Sequence, residues 1–236
     1  DAVTGRVETA GAYSSGMTEI GLFPLGIVLL PTEHVPLHIF EPRYRAMLSD
    51  CLAGDERFGL LPPAPDGSPP RSGTVGCIAR VRASHHLPDG RSNIVVVGER
   101  RFLLRQTLAT ETPYLVGLVD TFDDLADPEV PPESLAALRE VATTYLAAME
   151  TLGGASDRSP WADDAGQLSF QVAAAVDLEF EVKRRLLELR SPSDRVALLL
   201  ELLPPLAAEA AARARVHSRA RANGKGGPHP DIAIAT

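Results

Sequence analysis

The chain has 236 residues, a net charge of −8 and a pI near 5.3, with 44% hydrophobic, 23% charged and 5% aromatic residues. A chain this long buries about 70–75% of its unfolded surface, so a core of Leu, Val, Ile and Ala needs no disulfide framework. The acidic balance argues against a nucleic-acid footprint, which is a basic face. No stretch approaches the 18 uninterrupted apolar residues of a membrane span. The first 19 residues lack the apolar run of a secretory leader, which makes the cytoplasm the expected compartment.

Residues 1–18 are Gly-, Ser- and Thr-rich without periodicity and predict a flexible arm. From 19 to 124 the text is mostly β. Short strands are expected at Ile20–Phe23, Val35–Phe40 and Phe58–Leu61, with Leu25–Leu30 a covered loop or a further strand. Between the second and third strands the chain turns helical at Glu41-Pro42, since proline at the first helical position loses no hydrogen bond. Tyr44, Met47, Leu48, Cys51 and Leu52 then form one apolar stripe, fit to plug the mouth of a barrel. The proline-rich stretch from Pro62 to Gly73 reads as a mobile loop tolerant of length change. Thr74–Leu87 follows as a half-buried strand whose apolar positions alternate. Pro88-Asp89-Gly90 is a hairpin signal, and Ser92–Gly98, Phe102–Leu108 and Tyr114–Phe122 complete the set. Cys51 and Cys77 have no CxxC neighbour and read as small core residues.

An acidic, proline-bearing linker follows Asp123. Residues 132–206 then read as a helical bundle. Leu135, Leu138, Ala142, Tyr145, Leu146 and Met149 keep the 3.6 period. Leu168–Val176 and Phe180–Leu189 give two more helices. Ser191-Pro192-Ser193-Asp194 reads as a cap opening a fourth, with Val196, Leu199, Leu200 and Leu203 buried. Pro204-Pro205 is expected to interrupt it, leaving residues 207–236 as a disordered tail.

The order of these pieces resembles a known family. Phe23-Pro24-Leu25, Pro36 to Tyr44 (PLHIFEPRY), Gly73-Thr74-Val75-Gly76, the Pro88 hairpin and Gly98-Glu99-Arg100-Arg101-Phe102 look like the N-terminal, substrate-binding domain of Lon proteases in its standalone bacterial form. Leu186 to Leu189 and Arg195 to Leu203 are similar to that family's downstream helices. The resemblance covers about residues 19–206. It implies an α+β fold: a six-stranded PUA-like pseudo-barrel with one inserted helix, followed by a C-terminal α-helical bundle. It also implies a role in holding unfolded or tagged polypeptides, with a protease in trans and a homodimer as further expectations. The family's ATPase and peptidase activities are not expected here. No G-x-x-x-x-G-K-[ST] loop is present, since Gly224-Lys225 is followed by Gly226 and position 219 is Arg. Lys183 and Lys225 lie in a predicted helix and the tail, where no Ser-Lys dyad is expected. No catalytic residue, cofactor or metal follows.

Candidate peptide-binding residues are His38, Phe40, Glu41, Arg43, Tyr44 and Trp161. Each has a plainer account. Glu41 suits the helix start, Tyr44 packs, Arg43 pairs locally, and His38 is a packed, hydrogen-bonded histidine beside Phe40. Trp161 is either an exposed recognition aromatic or an anchor for its loop. His85 and His86 are adjacent in a strand and face opposite sides, so they do not chelate one ion. The alternative reading is an RNA-binding PUA-like protein. Arg80, Arg82, Arg91, Arg100, Arg101 and Arg105 make the β half locally basic, but no aromatic platform interleaves them.

Overall fold

A computed structural model describes residues 17–126, 129–154 and 160–223. Six strands carry the first half: β1 (Met17–Pro24), β2 (His34–Ile39), β3 (Arg57–Leu61), β4 (Val75–His86), β5 (Ser92–Leu108) and β6 (Leu115–Phe122). Helix α1 (Pro42–Ala53) is inserted between β2 and β3. Four helices follow: α2 (Pro132–Thr151), α3 (Ala165–Ala175), α4 (Phe180–Glu188) and α5 (Pro192–Asn223). The α+β class, the six strands, the inserted helix and the helical second half are as expected. The arm expected over 1–18 falls almost wholly outside the described residues; of the tail expected to be disordered over 207–236, residues up to Asn223 are instead helical in α5, and the rest lies outside the described residues.

The sheet order is β2-β5-β4-β3-β1-β6, and β5 also pairs with β6. That extra pairing closes a ring of five strands and leaves β2 as an appendage. One long strand makes closure possible. The sequence predicts two strands across 92–108, yet β5 runs unbroken through Gly98 for 17 residues. Its first half pairs with β2 and β4, and its second half with β4 and β6. Register shifts between Leu104 and Gln106, and in β4 between Cys77 and Ala79, bend the strands around the barrel. A side chain at Gly98 would strike the Leu30 carbonyl. Glycine is thus required there for close backbone approach, not for a turn. The Leu25–Leu30 stretch is a covered loop, with Val28, Leu29 and Leu30 buried.

Helix α1 begins where proline predicts and packs Tyr44, Met47, Leu48 and Cys51 inward. Leu52, expected in that stripe, is 42% exposed. Tyr44 meets Phe23 of β1 at 4.1 Å between ring centroids. Met47 lies close over Gly21. At the hairpin, Gly90 takes φ +82° and its N–H bonds the Leu87 carbonyl. The Arg45 guanidinium from α1 occupies the space a β-carbon at Gly90 would need.

Burial raises the Cys51 thiol to about 12 and pushes Cys77 up as well. Since the thiolate is the reactive form, neither cysteine should react with Ellman's reagent in native protein at pH 8. Both should react promptly in guanidinium, and rapid native labelling would show that the barrel opens.

In the second half, Asp164 caps α3 by accepting from the Gln167 N–H at 2.8 Å. The Ser191 hydroxyl caps α5 by accepting from the Asp194 N–H at 3.0 Å. The expected break at Pro204-Pro205 does not occur, since both prolines lie inside α5. Interior proline costs about 3 kcal/mol, but Leu203, Ala207, Ala210 and Ala214 hold the period and are buried on the face packed on α2. Tertiary packing outweighs the local penalty. No described helix is long and apolar enough to cross a membrane.

Candidate functional site

Strand β2 pairs with β5 alone among the described strands, so its other edge carries unpaired backbone groups. Pro36 sits within it, as proline does on edge strands. Burial alternates along the strand: Val35, Leu37 and Ile39 turn inward, while His34, Pro36 and His38 are exposed. Phe40, just past the strand, is 58% exposed. The His38 and Phe40 rings stack at 6.0 Å. His38 is not packed as expected. It is exposed, and its Nδ1 lies 2.7 Å from Asn93 Oδ1 on β5. With Leu37 and Ile39 turned inward, His38 falls on the outer face of the strand.

The structure brings His38, Phe40, Glu41, Arg43 and Tyr44 into one region. Arg43 donates to Glu41 at 2.9 Å and stacks 4.4 Å over the Tyr44 ring. Burial raises the Tyr44 hydroxyl above its ordinary value, with Arg43 opposing and Glu41 adding. Glu41 makes no side-chain cap to α1. Trp161 lies elsewhere, on the helical half. Its indole N–H donates to Thr143 of α2 at 3.1 Å, and the ring is half-buried. It anchors its loop.

A second feature joins the two halves, and sequence reading passed over it. Arg101 of β5 is 3% exposed and Arg195 of α5 is fully buried. Both grip Asp124, which follows β6. Arg195 donates to both Asp124 oxygens at 2.6 and 2.7 Å, and Arg101 donates to Oδ1. Two buried cations thus share one carboxylate. The excess positive charge is met by carbonyls at the C-terminal end of α4, where the helix dipole is negative. Arg101 donates to Leu187 and Leu189, and Arg195 to Leu189 at 2.9 Å. The Arg195 guanidinium also covers the Phe170 ring at 4.1 Å. Burial lowers the Arg101 guanidinium to about 10, with Asp124 opposing. The sequence carries little signal for it: Arg101 follows Glu99-Arg100 and Arg195 follows Ser193-Asp194, so both read as ordinary surface charges.

A groove of about 520 Å³ lies between the 62–74 loop and α4, walled by Pro62, Pro63, Pro65 and Val75 on one side and Phe180 and Arg184 on the other. The arginines that made the β half look basic are mostly neutralised. Arg91 pairs with Asp89, Arg100 with Asp123, Arg101 with Asp124 and Arg105 with Asp120. Arg80 lies 3.6 Å from Glu56 and Glu99. Arg82 alone of the six is without a carboxylate partner among the described residues.

Comparison with known proteins agrees with this architecture. The chain is 28% identical over 183 residues to "Lon protease 2" of Myxococcus xanthus, and 29% identical over 185 residues to the Lon protease of Anaeromyxobacter dehalogenans. Each match covers 75% of this chain and 22% of the relative, so the chain spans about a fifth of these proteins. Among solved structures, a Lon N-terminal domain protein from Xanthomonas campestris superposes with a TM-score of 0.62 at 26% identity, covering 79% of this chain and 99% of that one. The N-terminal domain of the Mycobacterium avium complex Lon protease shares the fold at 20% identity, with a TM-score of 0.59, covering 81% and 99%. Residues 19–204 match the family described as the ATP-dependent protease La (LON) substrate-binding domain, and the chain belongs to that family.

Proposed function

We propose that the chain holds unfolded or tagged polypeptide segments, presents them to a proteolytic partner and performs no chemistry of its own. The observation that carries this reading is the free edge of β2. Unpaired N–H and C=O groups along that edge offer a segment main-chain hydrogen bonds with little demand on its sequence. Phe40 beside the edge offers an apolar contact. His38, Glu41, Arg43 and Tyr44 frame the same place, with the His38 ring stacked beside Phe40. Trp161 is assigned no part in binding, because its indole is committed to α2. Family membership supports the reading, and so does the match to a substrate-recognition region rather than a catalytic one.

Phe40→Ala is the test. Phe40 is exposed, so its loss should change stability by less than about 0.5 kcal/mol. Affinity for an unfolded, fluorescently labelled peptide should fall about tenfold, the effect of losing one interface anchor. Fluorescence anisotropy and a thermal melt read both quantities. Unchanged affinity would move the site away from β2. Failure of a panel of unfolded peptides to bind at high micromolar concentration would end the reading altogether.

A further inference from the structure

We propose that the segments taken up at β2 are acidic: extended polypeptide with an apolar core flanked by Asp or Glu. This deepens the reading above and rests on it. Strands β2, β5 and β4 lie side by side here, and their register fixes which residues share a face. His38 stands opposite Asn93, and Asn93 opposite His85. Pro36 stands opposite Val95, and Val95 opposite Ala83. Directly paired residues point to the same side of a sheet, so His38 and His85 flank Asn93 on one face. His34, two residues from Pro36, joins them. The side chains of His34, His38, Asn93 and His85 are exposed.

Charge around this face is one-sided. Its carboxylates are already engaged: Glu41 is held by Arg43 at 2.9 Å, and Asp89 by Arg91 at 2.6 Å. Two cations have no such partner among the described residues. Arg82 is exposed at the bulge between Val81 and Ala83, and Arg45 lies over the Gly90 turn. On a chain of net charge −8 this is a local reversal of sign. It offers the imidazole N–H groups of His34 and His38 on the free strand itself, with His85 and the unspent charge of Arg82 two strands in on β4. Carboxylates on a segment added to β2 fit both. The same charges would draw a phosphodiester, but a strand edge is spaced for another backbone, and Phe40 is a lone exposed aromatic instead of a stacking platform.

The experiment uses three labelled peptides with one apolar, extended core and flanks of Glu, Gln or Lys. A single-stranded uridine oligonucleotide is run in parallel at low salt. The Glu peptide should bind about fivefold tighter than the Gln peptide, as two exposed ion pairs would give, and the Lys peptide most weakly. Added salt should compress these differences. Arg45→Glu/Arg82→Glu should reverse the order while leaving the melting temperature unchanged. Should the double variant fail to fold, exposed Arg82→Glu alone should halve the preference. Equal binding of the three peptides would overturn the acidic assignment and leave polypeptide binding standing. No binding by any of them would bring down both. Displacement of the Glu peptide by the oligonucleotide would overturn the assignment in favour of a nucleic-acid site.

Discussion

Replacing Asp124 with alanine should destabilise the protein by about 3–5 kcal/mol, the cost of removing one partner from a buried ion pair. The size follows from what is left behind. Arg195 is fully buried and Arg101 nearly so, and both lose the only carboxylate that pairs with them among the described residues. The carbonyls of Leu187 and Leu189 and the face of Phe170 remain, but neutral groups do not replace a carboxylate in a low-dielectric site. Asp124→Asn keeps the shape and one acceptor, so it should cost less than Asp124→Ala. Arg101→Met should cost less again, since it removes the surplus cation and leaves Asp124 paired with Arg195. Denaturant midpoints order the three variants. Equal midpoints for Asp124→Ala and wild type would show that the barrel and bundle are not held together here.

Phe102→Ala should cost about 3–5 kcal/mol through the cavity it opens. The Phe102 ring is fully buried in the barrel among Leu22, Leu61, Leu104 and Val119. It also lies against two glycines. A β-carbon at Gly59 would come within 3.0 Å of the ring and 3.1 Å of Leu22. One at Gly76 would clash with the ring and stand 2.6 Å from the Leu60 carbonyl. Gly59→Ala alone should therefore cost about 1–3 kcal/mol by overpacking. In the Phe102→Ala background it should cost little or be favourable, because the added methyl enters the vacated space. A double-mutant cycle reads this coupling. Gly76→Ala should not be rescued in the same way, since backbone cannot move aside as a side chain can. Additive effects at Gly59 and Phe102 would refute the packing described.

Local chemistry made much of this legible from the residues. The Pro88-Asp89-Gly90 turn, the helix start at Pro42 and the cap at Ser191 each depend on neighbours within a few positions, and each appears where expected. What sequence could not show is set by distant partners. Gly98 looks like a strand end until Leu30 is seen passing over it. Arg101 looks like a solvated charge until Asp124 and the end of α4 enclose it. Pro204-Pro205 looks like a stop until α2 buries the alanines beyond it. His38 reads as packed because alternation alone does not reveal that the face it shares with His34 and Pro36 is left uncovered. For the candidate site, the PLHIFEPRY segment marked the right region, while the register that sets His38 and His85 around Asn93 emerged only with the sheet.

The length of β5 has a consequence for how the molecule comes into being. Its first half belongs with segments already made, β2 and β4, and its second half waits for β6, while β1 and β3 lie parallel and need everything between them as a crossover. The β4–β5 hairpin can pair once residue 103 has emerged, but the ring cannot close before β6 is made, and Arg101 lacks its carbonyl partners until Leu187 and Leu189 arrive. Closure comes last, and a truncation anywhere before β6 leaves the ring open.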